Sequence, residues 1–315
     1  MTVRVALLGY GWAGAMHARA ARSAKVEIVG VAGHNLERAL AFTAAHGAGR
    51  ATEDWQTLTA DPVVDLVVVA TPNALHHPQV LHALACGKHV LVEKPMALTV
   101  ATARELIAAA RAADRVLAVG HMWRYRDEVI ALRDRIAAGD FGRIVRTHGY
   151  GIHAHWGPDG WFVDPVLAGG GALIDMGIHA IDTARFLLGD PRPLRVQASI
   201  GRGLFGPYAV DDDGLVIVDW DNGVRSLIEF GWRQPRLGGL EAETHVLGLT
   251  GAGQIWPGMP PAPEGYEHCS LPMYAAQLAD VAACCRTGAT PLASAAVGLT
   301  ALEIVERAYG IGDAA

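Results

Sequence analysis

Cysteine is scarce in this chain: four residues in 315, at spacings that suit neither a metal site nor a redox pair. Cys86 and Cys269 stand apart, and the adjacent Cys284 and Cys285 rarely bridge each other. The histidines do not fill the gap. His76-His77, His153 and His155 form no zinc pattern with cysteine and no His-Glu-x-x-His arrangement, so no metal is expected. Positive charge is short as well. The 26 Lys and Arg against 32 Asp and Glu leave a net −6, which gives a nucleic-acid partner no electrostatic support. No uninterrupted apolar run is long enough to span a bilayer, so no membrane partner is expected. Met1-Thr-Val-Arg-Val-Ala-Leu-Leu-Gly9 lacks the apolar core and cleavage site of a secretion signal. Idle thiols in a reducing cytoplasm fit these absences, and a cytoplasmic location is the expectation.

What is present is ordinary core material, 51% hydrophobic and 18% charged, over a length that suggests about two domains. The first part alternates strands and amphipathic helices, the pattern of a parallel sheet covered on both faces. Strands are expected at Val3–Leu8, Glu27–Val31, Val64–Ala70, His89–Val92 and Val116–Val119, with a short one near Arg50–Ala51. Helices are expected near Ala13–Ser23, Leu36–His46, Leu75–Cys86 and Val100–Ala113. The fold class is therefore α/β, with a Rossmann-type, doubly wound domain over residues 1–121. Residues 122–315 read differently. A helix near Asp127–Ala138 leads to a strand at Arg143–Gly151, a loop rich in Gly, Pro and Trp, and a further helix. Period-two runs follow at Leu194–Ile200, Gly214–Trp220, Val224–Phe230 and Thr244–Leu249, and Asp221-Asn222-Gly223 is a strong hairpin turn. An α+β domain with a mostly antiparallel open sheet is expected. Helices near Met273–Thr287 and Ser294–Gly310 close it, after the proline-rich loop Pro257–Pro263.

Gly9-Tyr10-Gly11-Trp12-Ala13-Gly14 follows a strand and opens a helix, the context in which GxGxxG marks a dinucleotide site. Gly9 permits the turn, Gly11 admits a pyrophosphate, and Gly14 lets helix and strand pack, with the anion on the N–H groups around Trp12 and Ala13. An acidic residue about 20 positions on would hold the ribose hydroxyls. Here the second strand ends Val31-Ala32-Gly33-His34-Asn35, and Glu37 comes only in the next helix. Gly33 leaves room for a 2′-phosphate, and His34 or Arg38 can meet its charge. The cofactor is expected to be NAD(P), with NADP ahead of NAD.

Three more segments fall at carboxyl ends of strands, the ligand edge of an open α/β sheet: Thr71-Pro72-Asn73, Glu93-Lys94-Pro95 and Gly120-His121. The first offers polar atoms to a nicotinamide ribose. Lys94 is placed to hold an alkoxide or carbonyl oxygen while hydride moves. Far downstream, Gly169-Gly170-Gly171-x-x-x-Asp175-x-Gly177-x-His179-x-x-Asp182 sets two carboxylates and an imidazole on one stripe of an apolar helix. Free N–H groups in the first turn would stabilise the Asp175 carboxylate, which in turn would orient His179 for proton exchange.

In this order the blocks resemble the Gfo/Idh/MocA oxidoreductase family, which includes glucose–fructose oxidoreductase and inositol dehydrogenase. The matching residues are Gly9, Gly11, Gly14 and His17; Thr71, Pro72, Asn73 and His76; Glu93, Lys94 and Pro95; and Gly169–Gly171, Asp175, Gly177, His179 and Asp182. The resemblance implies a tightly held NAD(H) or NADP(H), a sugar, polyol or related carbohydrate as substrate, and a homodimer or homotetramer built through the C-terminal sheet. It also implies a catalytic group of Lys94, Asp175 and His179: histidine as acid/base, lysine as polariser of the reacting oxygen, aspartate as orienter. By the same resemblance Asp182 would be an anchor behind them. Gly33-His34 departs from the family's Asp-Arg or Ser-Arg pair, and His121-Met-Trp-Arg124-Tyr125 replaces an Asn-containing segment. Pocket candidates are Arg124, Tyr125, His153, His155, Trp156, Asp159 and Trp161. The reaction expected is oxidation of a secondary or anomeric hydroxyl, or its reverse. A glycosidase or lyase using transient oxidation, and a dinucleotide-binding regulator without turnover, are the alternatives.

Overall fold

The computed structural model describes residues 2–153, 156–234, 240–255 and 263–310. The chain divides into two compact units: Met1–Met122 with Glu267–Gly298, and Trp123–Tyr266 with Leu299–Ala315. In the first, strand and helix alternate as β1 (Val3–Leu8), α1 (Trp12–Ala24), β2 (Val26–Ala32), α2 (Leu36–His46), β3 (Arg50–Thr52), α3 (Trp55–Ala60), β4 (Leu66–Val69), α4 (His76–Ala85), β5 (His89–Val92), α5 (Val100–Ala113) and β6 (Leu117–Val119). The strands pair in parallel in the order β3-β2-β1-β4-β5-β6. This is the doubly wound dinucleotide arrangement. Leu66, Val67, Val69, Val90, Leu91 and Val92 are fully buried, which is why these strands read as continuous apolar runs without alternation. Helix α3, which the sequence reading lacks, is a short capped helix: the Asp54 carboxylate accepts from the Thr57 N–H at 2.9 Å.

The second unit begins with α6 (Asp127–Ala137), β7 (Ile144–His153) and the short α7 (Pro165–Ala168). A π-turn over Leu173–Gly177 then leads straight into α8 (Ile178–Leu187). Strands β8 (Pro193–Arg202), β9 (Asp211–Trp220), β10 (Arg225–Trp232), β11 (Leu240–Gly248) and β12 (Ala252–Ile255) follow, then α9 (Pro263–Thr287) and α10 (Ala295–Ala308). The sheet runs β12-β11-β7-β10-β9-β8. Its pairs are antiparallel except β7 with β10, which run side by side in parallel from Arg146–Arg225 to His153–Trp232. The Asp221-Asn222-Gly223 turn joins β9 to β10, with the Trp220 N–H donating to the Val224 carbonyl at 3.0 Å. Ile228, Phe230 and Trp232 are fully buried while Leu227 and Glu229 are half-buried, the alternation of a sheet covered on one face.

Helix α9 differs from the sequence reading in length and in company. It starts ten residues earlier than Met273, and from Glu267 onward it belongs to the first unit. The Gln277 amide donates to the Val119 carbonyl at 3.0 Å, and the Val119 N–H donates to Ala293 at 2.9 Å. Ala118 and Ser294 form a bridge, so the open edge of β6 is covered by the segment after α9. Among the described residues no helix is long and apolar enough to cross a membrane.

Candidate active site

The GxGxxG turn joins β1 to α1 with Gly9 at φ +102°. A side chain at Gly9 would meet the Ala70 carbonyl oxygen at 2.2 Å, and one at Gly14 would meet the Gly9 carbonyl at 2.4 Å. Both glycines thus serve close packing of strand, turn and helix. Gly11 is different: a Cβ there would have nothing within 4 Å. Gly11 is also the N-cap of α1, and as a glycine it brings no side chain to the helix's first N–H groups. In the same unit α2, α3 and α5 are capped by Asn35, Asp54 and Thr99. A helix start behind an open glycine fits the pyrophosphate of a dinucleotide. Trp12, the first residue of α1, is exposed.

Beyond β2 the structure corrects the reading of Gly33. A Cβ there would lie 1.9 Å from the ring of Tyr10, so the glycine makes room for that ring and not for a phosphate. The Tyr10 hydroxyl lies 3.2 Å from His34 Nδ1, and the Arg38 guanidinium sits 5.0 Å above the tyrosine ring. Asn35 is spent on capping α2, accepting from the Arg38 N–H at 2.9 Å.

Along the carboxyl edge of the sheet, the Thr71 hydroxyl donates to Gln79 at 2.6 Å. His76, fully buried, has ring nitrogens 2.7 Å from the Pro95 carbonyl and 2.8 Å from the Thr71 carbonyl, and so links the two loops. Asn73 is buried beside them. Lys94 follows β5, half-buried, and its bond to Pro95 is cis. Glu93 turns inward and lies 2.8 Å from His17 on α1. Burial works against the Glu93 charge, but the His17 hydrogen bond and the positive charge of Lys94 outweigh it and hold the carboxyl below its usual range. Tyr274 of α9 packs edge-on against both His17 and Trp12. Tyr274 escaped the sequence reading, because nothing local ties α9 to a turn more than 250 residues earlier.

In the second unit, Asp175 and His179 lie on the π-turn and the first residues of α8. The Ile178 N–H reaches back five residues to the Leu173 carbonyl, so the turn carrying Asp175 is wider than the plain α-helix expected. The N–H groups expected to hold Asp175 are taken by another residue. Asp211 accepts from Gly171 at 2.8 Å and from Leu173 at 2.7 Å, and the Tyr309 hydroxyl donates to it at 2.8 Å. Burial and the adjacent carboxylate push the Tyr309 phenol well above its usual value, which keeps it a donor. Gly171 is needed for this approach, since a Cβ would sit 1.9 Å from the Asp211 carbonyl oxygen. Asp175 instead accepts from the indole N–H of Trp232 at 3.0 Å. His179 is buried and Asp175 half-buried.

Arg124 is not at a substrate surface. It is 1% exposed, with two of its nitrogens on Asp182 at 2.8–3.0 Å and two on Asp190 at 2.6–3.0 Å. Burial would lower its pKa, yet the two carboxylates raise it far above normal. Asp182 is therefore this arginine's partner. Tyr125 is buried as well. His153, Trp156 and Trp161 belong to an aromatic cluster: His153–Trp156 at 5.2 Å, Trp156–Phe162 at 5.2 Å, Trp161 stacked on Phe162 at 4.0 Å, and Trp156–Trp232 at 6.4 Å. Asp159 is exposed, and His155 lies outside the described residues. Trp232 and Tyr208, 5.5 Å apart, were missed. Extending the period-two run Ser226, Ile228, Phe230 by one step would have found the tryptophan.

Residues 3–121 match the family model described as "Oxidoreductase family, NAD-binding Rossmann fold", and residues 129–252 match the GFO/IDH/MocA C-terminal domain. The 1,5-anhydro-D-fructose reductase of Ensifer adhaerens is 38% identical over 65% of this chain and 62% of its own length, so the match spans less than two thirds of that enzyme. The rhizopine catabolism protein MocA of Rhizobium meliloti is 31% identical over 97% of this chain and 93% of its own. Among solved structures, GenD2 from gentamicin A biosynthesis, in complex with NAD, superposes with a TM-score of 0.87 at 27% identity, covering 98% of this chain and 93% of that one. With both domain models matched and MocA aligned almost end to end, the chain belongs to the Gfo/Idh/MocA family of NAD-binding oxidoreductases.

Proposed function

We propose that this protein moves hydride between a nicotinamide dinucleotide and a secondary or anomeric CH–OH group of a sugar, polyol or related carbohydrate. The observation that carries the reading is the GxGxxG turn into α1, with open space at Gly11, in a chain that keeps Lys94, Asp175 and His179. Hydride acceptance is the chemistry that a bound nicotinamide supplies. The chain's own residues handle the proton and the oxygen. His179 takes the hydroxyl proton on oxidation and returns it on reduction. The Lys94 ammonium favours negative charge developing on the reacting oxygen. Asp175 orients the hydroxyl or the histidine. The rings of Trp156 and Phe162 offer apolar faces to a sugar, beside the Trp232 indole that bonds Asp175.

NADP is proposed to bind at least as well as NAD. Support comes from the absence of any carboxylate at Gly33-His34-Asn35 and from His34 and Arg38 gathered on Tyr10. A homodimer or homotetramer in the cytoplasm is also proposed, assembled on the sheet face that carries Leu215, Ile217 and Leu227, opposite the buried Val216, Val218 and Ile228. Sedimentation would read the assembly. The function itself is tested by offering 1,5-anhydro-D-fructose, a methyl D-glucoside, levoglucosan and myo-inositol with each cofactor and following nicotinamide absorbance. Substrate-dependent change is the expected result. Silence with every sugar and polyol, or bond cleavage without net reduction, would overturn the proposal.

A further inference from the structure

Trp232 ends β10 on the same face as Ser226, Ile228 and Phe230, and it is fully buried. Its indole N–H reaches Asp175 Oδ2 at 3.0 Å. The ring is held edge-on by Tyr208 at 5.5 Å and Trp156 at 6.4 Å, and the backbone is registered opposite His153 of β7. It therefore has little freedom to swing away. At the start of the Asp175 segment the Gly171 and Leu173 N–H groups are committed to Asp211. A carboxylate on a widened turn has several rotamers, and the indole selects one by committing Oδ2.

We infer that Trp232 is a positioning residue for the reaction: it acts through Asp175, fixing the direction in which that carboxylate meets the substrate or the histidine. The inference rests on the role proposed above for Asp175. Kinetics separate it from the simple need of a buried indole for an acceptor. Trp232→Phe keeps an aromatic ring and removes the donor. Site-specific insertion of benzothienylalanine at 232 keeps the bicyclic shape and replaces only the N–H by sulfur. Each is compared with Asp175→Asn and with the double variant, using the fastest of the four sugars and polyols named above.

Both variants at 232 should lower kcat about ten- to a hundredfold, with KM for the nicotinamide cofactor and the melting temperature unchanged for the sulfur analogue. The double variant should be no slower than Asp175→Asn alone, because the indole acts only through that carboxylate. Wild-type kcat with the sulfur analogue, beside a slow Asp175→Asn, would overturn this inference and leave the proposed function standing. Multiplied losses in the double variant would overturn it too. Wild-type turnover in Asp175→Asn would instead remove the role of Asp175, and the inference with it. If Trp232→Phe fails to fold, the analogue decides.

Discussion

Two helices of this protein start behind glycine-rich turns, and they treat their first N–H groups in opposite ways. At α1 no side chain caps the helix and the space beside Gly11 is open. At the π-turn that leads into α8, Asp211 fills the equivalent position with a carboxylate of the protein's own. One start has a glycine N-cap with open space beside it; the other is answered internally, in the segment that carries Asp175 and His179. The same contrast runs through the charges nearby, since Arg124 spends its guanidinium on Asp182 and Asp190. Similar sequence signatures, glycines before an apolar helix, thus leave open space in one unit and meet a carboxylate of the protein in the other.

The largest effect should come from breaking the internally answered side. Arg124→Met leaves Asp182 buried without its cation and should cost about 3–5 kcal/mol in urea unfolding, with cofactor affinity per folded molecule unchanged. A fall in sugar affinity without loss of stability would return Arg124 to the substrate. Next in size is Gly171→Ala, whose methyl group would strike the Asp211 backbone; roughly 1–3 kcal/mol should be lost, read by the same titration. Gly11→Asp is the counterpart at the open start. Gly11 has φ −76° and room for a Cβ, so the melting temperature should hold, while a carboxylate at the anion site should weaken calorimetric cofactor binding about tenfold. Equal stability losses at Gly11 and Gly171 would erase the contrast.

The smallest effect concerns pH. Glu93 titrates below its usual range in the folded chain, so its ionised form adds stability that is complete above the unfolded carboxylate value of about 4.3. That contribution disappears as pH falls through this value toward the lower folded one. Glu93→Gln should therefore flatten the acid side of the stability–pH curve; an identical acid limb in both proteins would exclude the His17–Glu93 bond as its source.

Much of the first unit was legible because its strands are buried on both faces and its glycines sit where only backbone fits. The limits of β1, β5, α2 and α5 follow from the residues alone. Three kinds of feature were not legible. Pairings between distant segments leave no local mark, as with β7 beside β10 and α9 against β6. The π-turn depends on a single extra residue per turn, which the apolar spacing around Asp175 does not reveal. The third kind is competition for a partner. From sequence, Asp175 had a claim on the helix N–H groups and Gly33 on a phosphate; Asp211 and Tyr10 hold those places. In each unit, motif residues could be named from their spacing, whereas Tyr274 in the first and Trp232 and Tyr208 in the second come from segments that no motif includes.

The central claim is that Lys94 and His179 perform the chemistry while the α1 start holds the cofactor. Its most direct test is turnover of Lys94→Ala and His179→Ala, measured beside calorimetric binding of NADP and NAD to the same preparations. The account predicts kcat lower by about 10²–10⁴-fold in each variant with cofactor still bound. Wild-type turnover in either one would contradict it.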